Sequence, residues 1–512
     1  MPSIEVRSMN SAHLRVLTEN SVSYELQDYF TFDVPGAKFT PAYRRKVWDG
    51  KVRLYNHHSG LLPAGLMDYL ATFARDRGYE VKVDSGVAQP EMRYDCEKVR
   101  GMVESLNPKS GGKALSPHDH QVDAICHSLN HSRCVLLSPT ASGKSLIIYS
   151  LCRHYQRVIP SSRKILIVVP TISLVAQMFS DFKDYSSDTD WVAEENCHRI
   201  VGGETKLTDK QVVISTWQSI YKLPRAWFDN FEVVFGDEAH QFKAQSLGGI
   251  MNKLTECPYR IALTGTLDGS KIHKLAIEGL FGPVHKVVTT KELMDRNLLT
   301  SLRIECIMLR YPPEVRKSVC GLDYQNEIEW LVGCEKRNDF IAHLTAATRG
   351  NTLVLFNYVE KHGKPLYEHI KRCASNVIEG RSVYFVAGET ELTEREKIRG
   401  IVEKEQNAII VASYGTFSTG INIKSLRNVI FASPSKSRIR VLQSIGRQLR
   451  KFEGKHVAKL YDIADDLHDG ENLNYTLQHF LKRVRIYEAE EFSYKLVKMP
   501  LDMRIERPKG NP

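Results

Sequence analysis

The chain has 512 residues, enough for two to four domains with well-formed cores. Its 42% hydrophobic and 25% charged content is that of a soluble globular protein, and a formal charge of +10 leans toward a polyanionic partner. Ten scattered cysteines without a C-x-x-C pair read as reduced thiols, and His57-His58 and His118-Asp119-His120 lack companion ligands at zinc spacing, so a zinc centre is not expected. The amino terminus has no apolar signal core, and the longest apolar run, Ile165 to Phe179, is broken by Pro170, Thr171 and Ser173. It reads as a strand followed by a helix, not a membrane span.

In chain order, Ile4 to Arg7 and His13 to Leu17 pattern as strands, and Ser23 to Phe30 as a short helix. Val47 to Tyr55 reads as a hairpin turning at Asp49-Gly50. Leu66 to Arg77 has helical spacing stopped by Gly78, and Tyr79 to Val83 alternates as a closing strand. This is a small α+β module. Its segment Lys38, Arg44, Arg45, Lys46, Lys51 and Arg53, threaded with Phe39, Tyr43, Trp48 and Tyr55, suits phosphate neutralisation and base stacking; a solvated basic face over core aromatics is the plainer alternative.

Asn107 to Gly112 reads as a polar linker. A helix is expected from Ser116, with Pro117 in its first turn, Asp119 in a capping box, and Val122, Ile125, Cys126 and Leu129 as its apolar face. Gln121 lies on this helix, and only its place just upstream of the next motif makes it a candidate adenine reader.

That motif is SPTASGKS, Ser138 to Ser145, between an apolar run (Cys134 to Leu137) and a helix-compatible segment (Leu146 to Tyr149). The strand–loop–helix setting is that of a phosphate-binding loop, although Ser138 stands where the strict pattern has glycine. Pro139, Thr140, Ala141, Ser142 and Gly143 would cradle phosphates, Lys144 would reach the β/γ oxygens, and the Ser145 hydroxyl would sit on Mg²⁺.

Further apolar strands end in polar clusters: Pro170-Thr171, Thr216-Trp217-Gln218, Asp237-Glu238-Ala239-His240 and Thr264-Gly265-Thr266. Continuous apolar runs imply a parallel sheet covered by helices, with ligands at the carboxyl ends of strands. Asp237 would hold Mg²⁺ and Glu238 would orient and deprotonate the attacking water. A second alternating unit has strand candidates Thr352 to Phe356, Val383 to Val386, Ile409 to Ala412, Val429 to Ala432 and Ala458 to Tyr461, no phosphate loop, and no repeat of the first unit visible by eye. Asn474 to Phe492 looks helical, and Ser493 to Pro512 basic and loosely ordered. Gln443, Arg447 and Arg450 are spaced to share one face of a predicted helix and suit a γ-phosphate.

PTASGKS, VVPT, DEAH, TGT, VASYGTFSTGIN and QSIGRQLR follow one another in the order found in superfamily 2 DExH helicases, which this chain resembles. DEAH also occurs in RNA helicases, but TGT replaces their Ser-Ala-Thr and looks more like DNA-repair and remodelling members. The stretches FTPAYRRKVWDGKVRLYN and GLLPAGL are similar to the amino-terminal module of phage recombination helicases.

The resemblance implies two tandem RecA-like parallel-sheet domains after the α+β module: residues 1–112 for nucleic-acid binding, 113–295 for ATP binding and 296–512 for the helicase carboxy-terminal domain. It implies ATP and Mg²⁺, with Gln121 reading adenine, Gly420 on the nucleotide side, and Asn422 where many relatives carry Asp. Thr264 and Thr266 would couple ATP state to the strand path. Thr171, Gly202, Thr216 and Gln218 in the first lobe, and Asn357, Thr416 and Ser418 in the second, would touch backbone phosphates, with Arg44, Arg45, Lys46 and Trp48 adding contacts from the module. The lobes would grip one nucleotide jointly and part on hydrolysis. The expected enzyme is a cytoplasmic monomeric 3′–5′ DNA helicase acting on branched or forked DNA and RNA–DNA hybrids, without membrane contact. A duplex translocase, an ATP-gated clamp and an RNA helicase remain open.

Overall fold

Apolar runs that cannot expose either face need helices on both sides, and the chain builds two parallel sheets whose strands alternate with helices. The computed structural model describes residues 2–87, 94–241, 244–267, 269–377, 380–420, 423–435, 437–470 and 472–501, with backbone only at 244–246, 392 and 418–420. The chain divides into two units, Met1–Val288 and Thr289–Pro512.

The first unit begins with a four-stranded sheet ordered Leu61–Pro63, His13–Leu17, Ser3–Ser8, Glu80–Val83, the last pair parallel. Helices Asn20–Tyr29 and Met67–Arg77 pack on it, and Gly78 (φ 70°) ends the second in the left-handed conformation that glycine tolerates best. The core of this module includes Leu275 from the helix Lys271–Phe281, which belongs to the neighbouring parallel-sheet layer. The Tyr69 hydroxyl donates to Glu278 Oε2 at 2.7 Å, and Ser11 N–H to the Thr255 carbonyl at 2.9 Å. A Cβ on Gly65 would lie 1.9 Å from the Glu278 carbonyl oxygen, so the module is seated by backbone contact. Gly65→Ala is therefore expected to cost about 1–3 kcal/mol through forced separation of the two backbones. A lowered urea midpoint checks it; an unchanged midpoint would mean the seat is soft.

The hairpin expected at Val47 to Tyr55 is not formed. Lys51–Arg53 pairs with Thr31–Asp33 instead, because Val47 N–H is already spent on the Ala42 carbonyl (3.0 Å) after a short helix, Pro41–Arg44, and Lys46 leaves extended geometry at φ 57°. The linker reading of Asn107 to Gly112 is also corrected. Lys109–Ser110 pairs with Lys113–Ala114 around Gly111 and Gly112, and Gly111 N–H donates to both oxygens of Asp184 at 3.0 Å. The helix Cys96–Ser105 places Val99 and Val103 in the core of the parallel-sheet layer. The next helix is Asp119–His131, starting three residues later than expected, with Gln121 Oε1 accepting His118 N–H at 2.9 Å.

The first parallel sheet is ordered Cys197–Ile200, Val212–Thr216, Lys164–Val169, Phe231–Asp237, Tyr259–Thr264, Arg133–Leu137, Val284–Lys286. The second unit's sheet is ordered Val383–Val386, Ile409–Ser413, Thr352–Phe356, Asn428–Phe431, Val457–Asp466, Ser301–Arg310, Tyr494–Pro500, again all parallel. Counted along the chain, both sheets run 3-4-2-5-6-1-7, so the units share one topology where the sequence shows no repeat. The stretch expected to be loose supplies the edge strand Tyr494–Pro500, while residues 502–512 lie outside the described residues. Among the described residues no helix is long and apolar enough to cross a membrane.

Candidate nucleotide site and nucleic-acid face

The carboxyl edge of the first parallel sheet carries the strand-end motifs, and strand order sorts them into two groups. One half holds the loop after Arg133–Leu137, the Asp237-Glu238 end of Phe231–Asp237 and the Thr264 end of Tyr259–Thr264, on adjacent strands. The other holds Gly202, Thr216 with Gln218, and Thr171, after the three strands on the far side.

The loop is braced by its own serines. Ser142 Oγ–H donates to the Pro139 carbonyl at 2.7 Å, so in the 2.6 Å contact between the two hydroxyls Ser138 is the donor. Ser138 is fully buried and does not sit at positive φ, which is why serine can replace glycine there; the left-handed positions are Ala141 (φ 68°) and Gly143 (φ 85°). The helix Lys144–Val158 follows, its amino end directed at the loop. Lys144 Nζ lies 3.4 Å from the Ser138 carbonyl and 3.8 Å from Glu238 Oε1, and Gly265 closes over it, since a Cβ there would meet the ammonium at 3.7 Å. Ser145 Oγ is 2.8 Å from the Tyr185 hydroxyl.

Asp237 is buried, its Oδ1 accepting Glu238 N–H at 2.9 Å. Burial, then the Glu238 charge, push its pKa up to about 7 against the pull of Lys144. Glu238 is held at φ 49°, and its Oε2 is 3.4 Å from His240 Nδ1. That nitrogen is 2.6 Å from Thr264 Oγ1, whose proton goes to the Thr266 carbonyl, so His240 is the donor. A hydrogen bond from His240 thus ties the end of the acidic strand to the TGT strand, with the Glu238 carboxylate within electrostatic reach of the same ring.

Gln121 is 5% exposed and packs on the loop, its Nε2 donating to the Ser142 carbonyl at 3.0 Å, where His120 Nε2 also arrives at 2.9 Å. A Cβ on Gly143 would fall 2.0 Å from that Gln121 nitrogen. Pro139 and Thr140 complete the turn, and the Thr140 N–H faces Gly265.

On the other half, Thr171 caps the helix Ile172–Tyr185, accepting Leu174 N–H at 3.4 Å. Thr216 Oγ1 meets Ser219 Oγ at 2.9 Å, Gln218 Nε2 donates to the Pro170 carbonyl at 3.3 Å, and Gly202 is exposed in the turn after Cys197–Ile200. In the amino-terminal module, Arg44, Arg45 and Lys46 are exposed beside Phe39 (66% exposed), Tyr43 and Val47, so these aromatics do not serve a core. Trp48 is half-buried and donates its Nε1–H to the Lys51 carbonyl at 2.8 Å. Tyr55 is 1% exposed and bonded to Ser23, which removes it from any stacking surface.

In the second unit, Asn357 follows Thr352–Phe356, its N–H donating to Ser433 Oγ at 3.1 Å; Thr416 is buried against Ser413 Oγ at 2.7 Å. Ser418 and Gly420 lie on the backbone of the helix Tyr414–Gly420, and Asn422 lies outside the described residues. Gln443 and Arg447 share the helix Arg438–Gln448, with the Arg447 guanidinium 5.5 Å from the Phe417 ring. Arg450 lies beyond the end of that helix. The helix ends at Gln448, whose side chain donates to the Arg427 and Lys459 carbonyls at 2.9 and 2.7 Å. The turn that follows is pinned by the Lys455 ammonium, which donates to the carbonyls of Gln448, Arg450 and Lys424.

Sequence reasoning gave no role to His120, Tyr185, His240 or Lys455. His240 was visible inside DEAH; the others come from positions with no local pattern to mark them.

The models for the DNA helicase UvsW amino-terminal domain, the type III restriction enzyme res subunit and the helicase conserved carboxy-terminal domain match residues 3–84, 114–269 and 335–451. The chain is 36% identical over 510 residues to the ATP-dependent DNA helicase uvsW of Enterobacteria phage T4, covering 96% of this chain and 98% of that one. The crystal structure of T4 UvsW matches with a TM-score of 0.52 at 34% identity, over 98% of this chain and 100% of that chain. A fragment of a putative HsdR subunit of a type I restriction enzyme from Vibrio vulnificus, 16% identical, covers 85% of this chain and 74% of its own at a TM-score of 0.56, a likeness of fold alone. With its phosphate loop, acidic strand end and TGT strand on adjacent strands, and a relative of this identity along nearly its whole length, the chain belongs to the UvsW family of superfamily 2, ATP-dependent DNA helicases.

Proposed function

We propose that this helicase moves 3′ to 5′ along one DNA strand and remodels branched DNA and R-loops, in recombination, repair and replication, as a monomer in the cytoplasm of a phage-infected host. The carrying observation is the sorting of one sheet edge into a phosphate half and a half of small polar groups suited to a sugar–phosphate backbone. The division of labour follows as residues 1–112 for DNA contact, 113–295 for ATP and 296–512 for the second lobe.

In the proposed reaction, Pro139 to Gly143 and Lys144 hold the phosphates, Glu238 accepts the proton of the attacking water, Arg447 and Arg450 neutralise the γ-phosphate, and Gln443 hydrogen-bonds to it or to the water. Ser145 and Asp237 would hold Mg²⁺, which would supply positive charge to the phosphates. The donors are all hard oxygens, and a buried Asp237 raised to about 7 beside Glu238 has charge that a divalent cation offsets. Gln121 reads adenine once its amide turns from Ser142, and Gly420 lines the nucleotide. Thr171, Gly202, Thr216 and Gln218, with Asn357, Thr416 and Ser418, hold the strand by its phosphates, so stepping is indifferent to sequence.

The test is ATP turnover with single-stranded, duplex, forked and RNA–DNA hybrid substrates, together with strand displacement on forks tailed at either end. Turnover and displacement on 3′-tailed forks are expected. Turnover on duplex without displacement would make the protein a duplex translocase, and displacement from 5′ tails would reverse the polarity. Replacing Arg44, Arg45 and Lys46 together by alanine is expected to weaken fork binding and flatten the slope of log affinity against log salt by about 2–3. An unchanged slope would remove the amino-terminal module from the DNA contact.

A further inference from the structure

Ser145 has a partner that no motif announces. Its Oγ lies 2.8 Å from the hydroxyl of Tyr185, forty positions on, at the last turn of the helix Ile172–Tyr185. The phenol is nearly buried, at 9% exposed. Its ring cannot drift. It packs against Tyr149 at 5.5 Å, one helical turn beyond Ser145, and Tyr149 is met edge-on by Phe182 at 5.3 Å. The same helix end is anchored from outside by Asp184, which accepts Gly111 N–H, and by the nearby Lys109–Asp188 pair, on the hairpin that leads toward Gln121.

The chemistry follows from counting one proton. A serine hydroxyl that gives a lone pair to a cation must direct its O–H elsewhere, and at the half-buried start of this helix an undirected O–H is a lost hydrogen bond. The phenol oxygen is placed to accept it. We infer that Tyr185 is a positioning residue: it accepts the Ser145 hydroxyl proton and thereby aims the Ser145 lone pair at the cation of the metal–nucleotide complex. This rests on the assignment of Ser145 to Mg²⁺ made above. The second geometric consequence is that the residue steering Ser145 closes the helix that Thr171 opens, so the metal-side hydroxyl and a strand-side residue hang on one rigid element.

The experiment uses the full-length protein and Mn²⁺ as the probe, bound together with a non-hydrolysable ATP analogue and followed by the Mn²⁺ paramagnetic resonance signal. Y185F keeps the ring against Tyr149 and removes only the oxygen. Its Mn²⁺ affinity is expected to fall about five- to tenfold, with nucleotide affinity in EDTA and Tm unchanged. S145A is expected to fall at least as far, and the Y185F/S145A double variant no further than S145A, because the two hydroxyls act as one unit. Wild-type Mn²⁺ affinity in Y185F, alongside a weakened S145A, would overturn the inference about Tyr185 and leave the role of Ser145 standing. Wild-type affinity in S145A itself would overturn both. A Y185F effect that adds fully to that of S145A would mean the phenol acts on something other than Ser145.

Discussion

Lys144→Ala is expected to cut DNA-stimulated ATP turnover about 10³-fold while leaving the fold and the DNA affinity in place. The ammonium is 3.4 Å from the Ser138 carbonyl and 3.8 Å from Glu238, under Gly265, at the start of a helix whose dipole already favours anions. It is the cation whose charge pulls the Asp237 pKa down, so its loss also makes the acidic pair harder to keep ionised. No backbone element depends on it: the loop is closed by Ser138, Ser142 and Pro139, and the helix behind it by Leu146, Ile147 and Ile148 in the core. Thr171, Thr216 and Gln218, proposed above to hold the DNA strand, are at the far half of the sheet edge, so DNA affinity without nucleotide should stay within about twofold. Phosphate release at saturating single-stranded DNA, a thermal melt and a DNA titration check the three parts. Loss of folding would make the loop a structural turn, and retained turnover would move the phosphate site elsewhere. Lys144→Arg should not rescue, because a planar fork does not fit where a point charge is held between the Ser138 carbonyl and the Glu238 carboxylate.

Which features could be read ahead of the structure follows from how locally each is encoded. The strands Lys164–Val169, Val212–Thr216 and Phe231–Asp237 are buried along nearly every residue, so composition alone announces them and places their polar ends at the ligand edge. Ser301–Arg310 escaped because its burial alternates over its first half, and Tyr494–Pro500 because it is an edge strand exposed on both faces and bearing Lys495 and Lys498. The turn at Asp49-Gly50 was legible, but its partner was not: the neighbouring strand sits some twenty residues upstream, and Val47 is held by a helix end. Arg450 has the right spacing for the face of Gln443 and Arg447, yet Lys455 gathers the carbonyls after Gln448 and the helix stops first. Tyr185 and His120 reach their partners only through tertiary packing, and Lys455 closes a turn that has no helical or strand period. No local period encodes such contacts, and the shared strand order of the two units is likewise a property of connections, not of residues.

Asp465→Ala is expected to destabilise the second unit by about 3–5 kcal/mol, the largest stability effect of a single substitution anticipated here. Asp465 lies near the end of the strand Val457–Asp466, where its two oxygens take Arg337 Nε and Nη2 at 2.8 and 2.9 Å and the Tyr311 hydroxyl at 2.9 Å. Arg337 and Asp465 are 0% and 1% exposed, so alanine leaves a guanidinium in the core with no counter-charge and a phenol with no acceptor. The damage should also reach function, since Arg337 Nη2 donates to the Ala432 carbonyl and thereby fixes the segment whose Ser433 hydroxyl receives Asn357 N–H. Weaker strand binding by the second lobe is the expected companion of the lower urea midpoint. The pair R337M with D465L separates charge from shape: with both ions gone, the penalty should shrink to about 1 kcal/mol or vanish, because desolvating two charges nearly offsets their attraction. If the double variant is as unstable as Asp465→Ala, the fold here depends on the hydrogen bonds from Tyr311 to Asp465 and from Arg337 to the Ala432 carbonyl and not on the ion pair. If both are as stable as the parent, the second unit does not fold around this strand end.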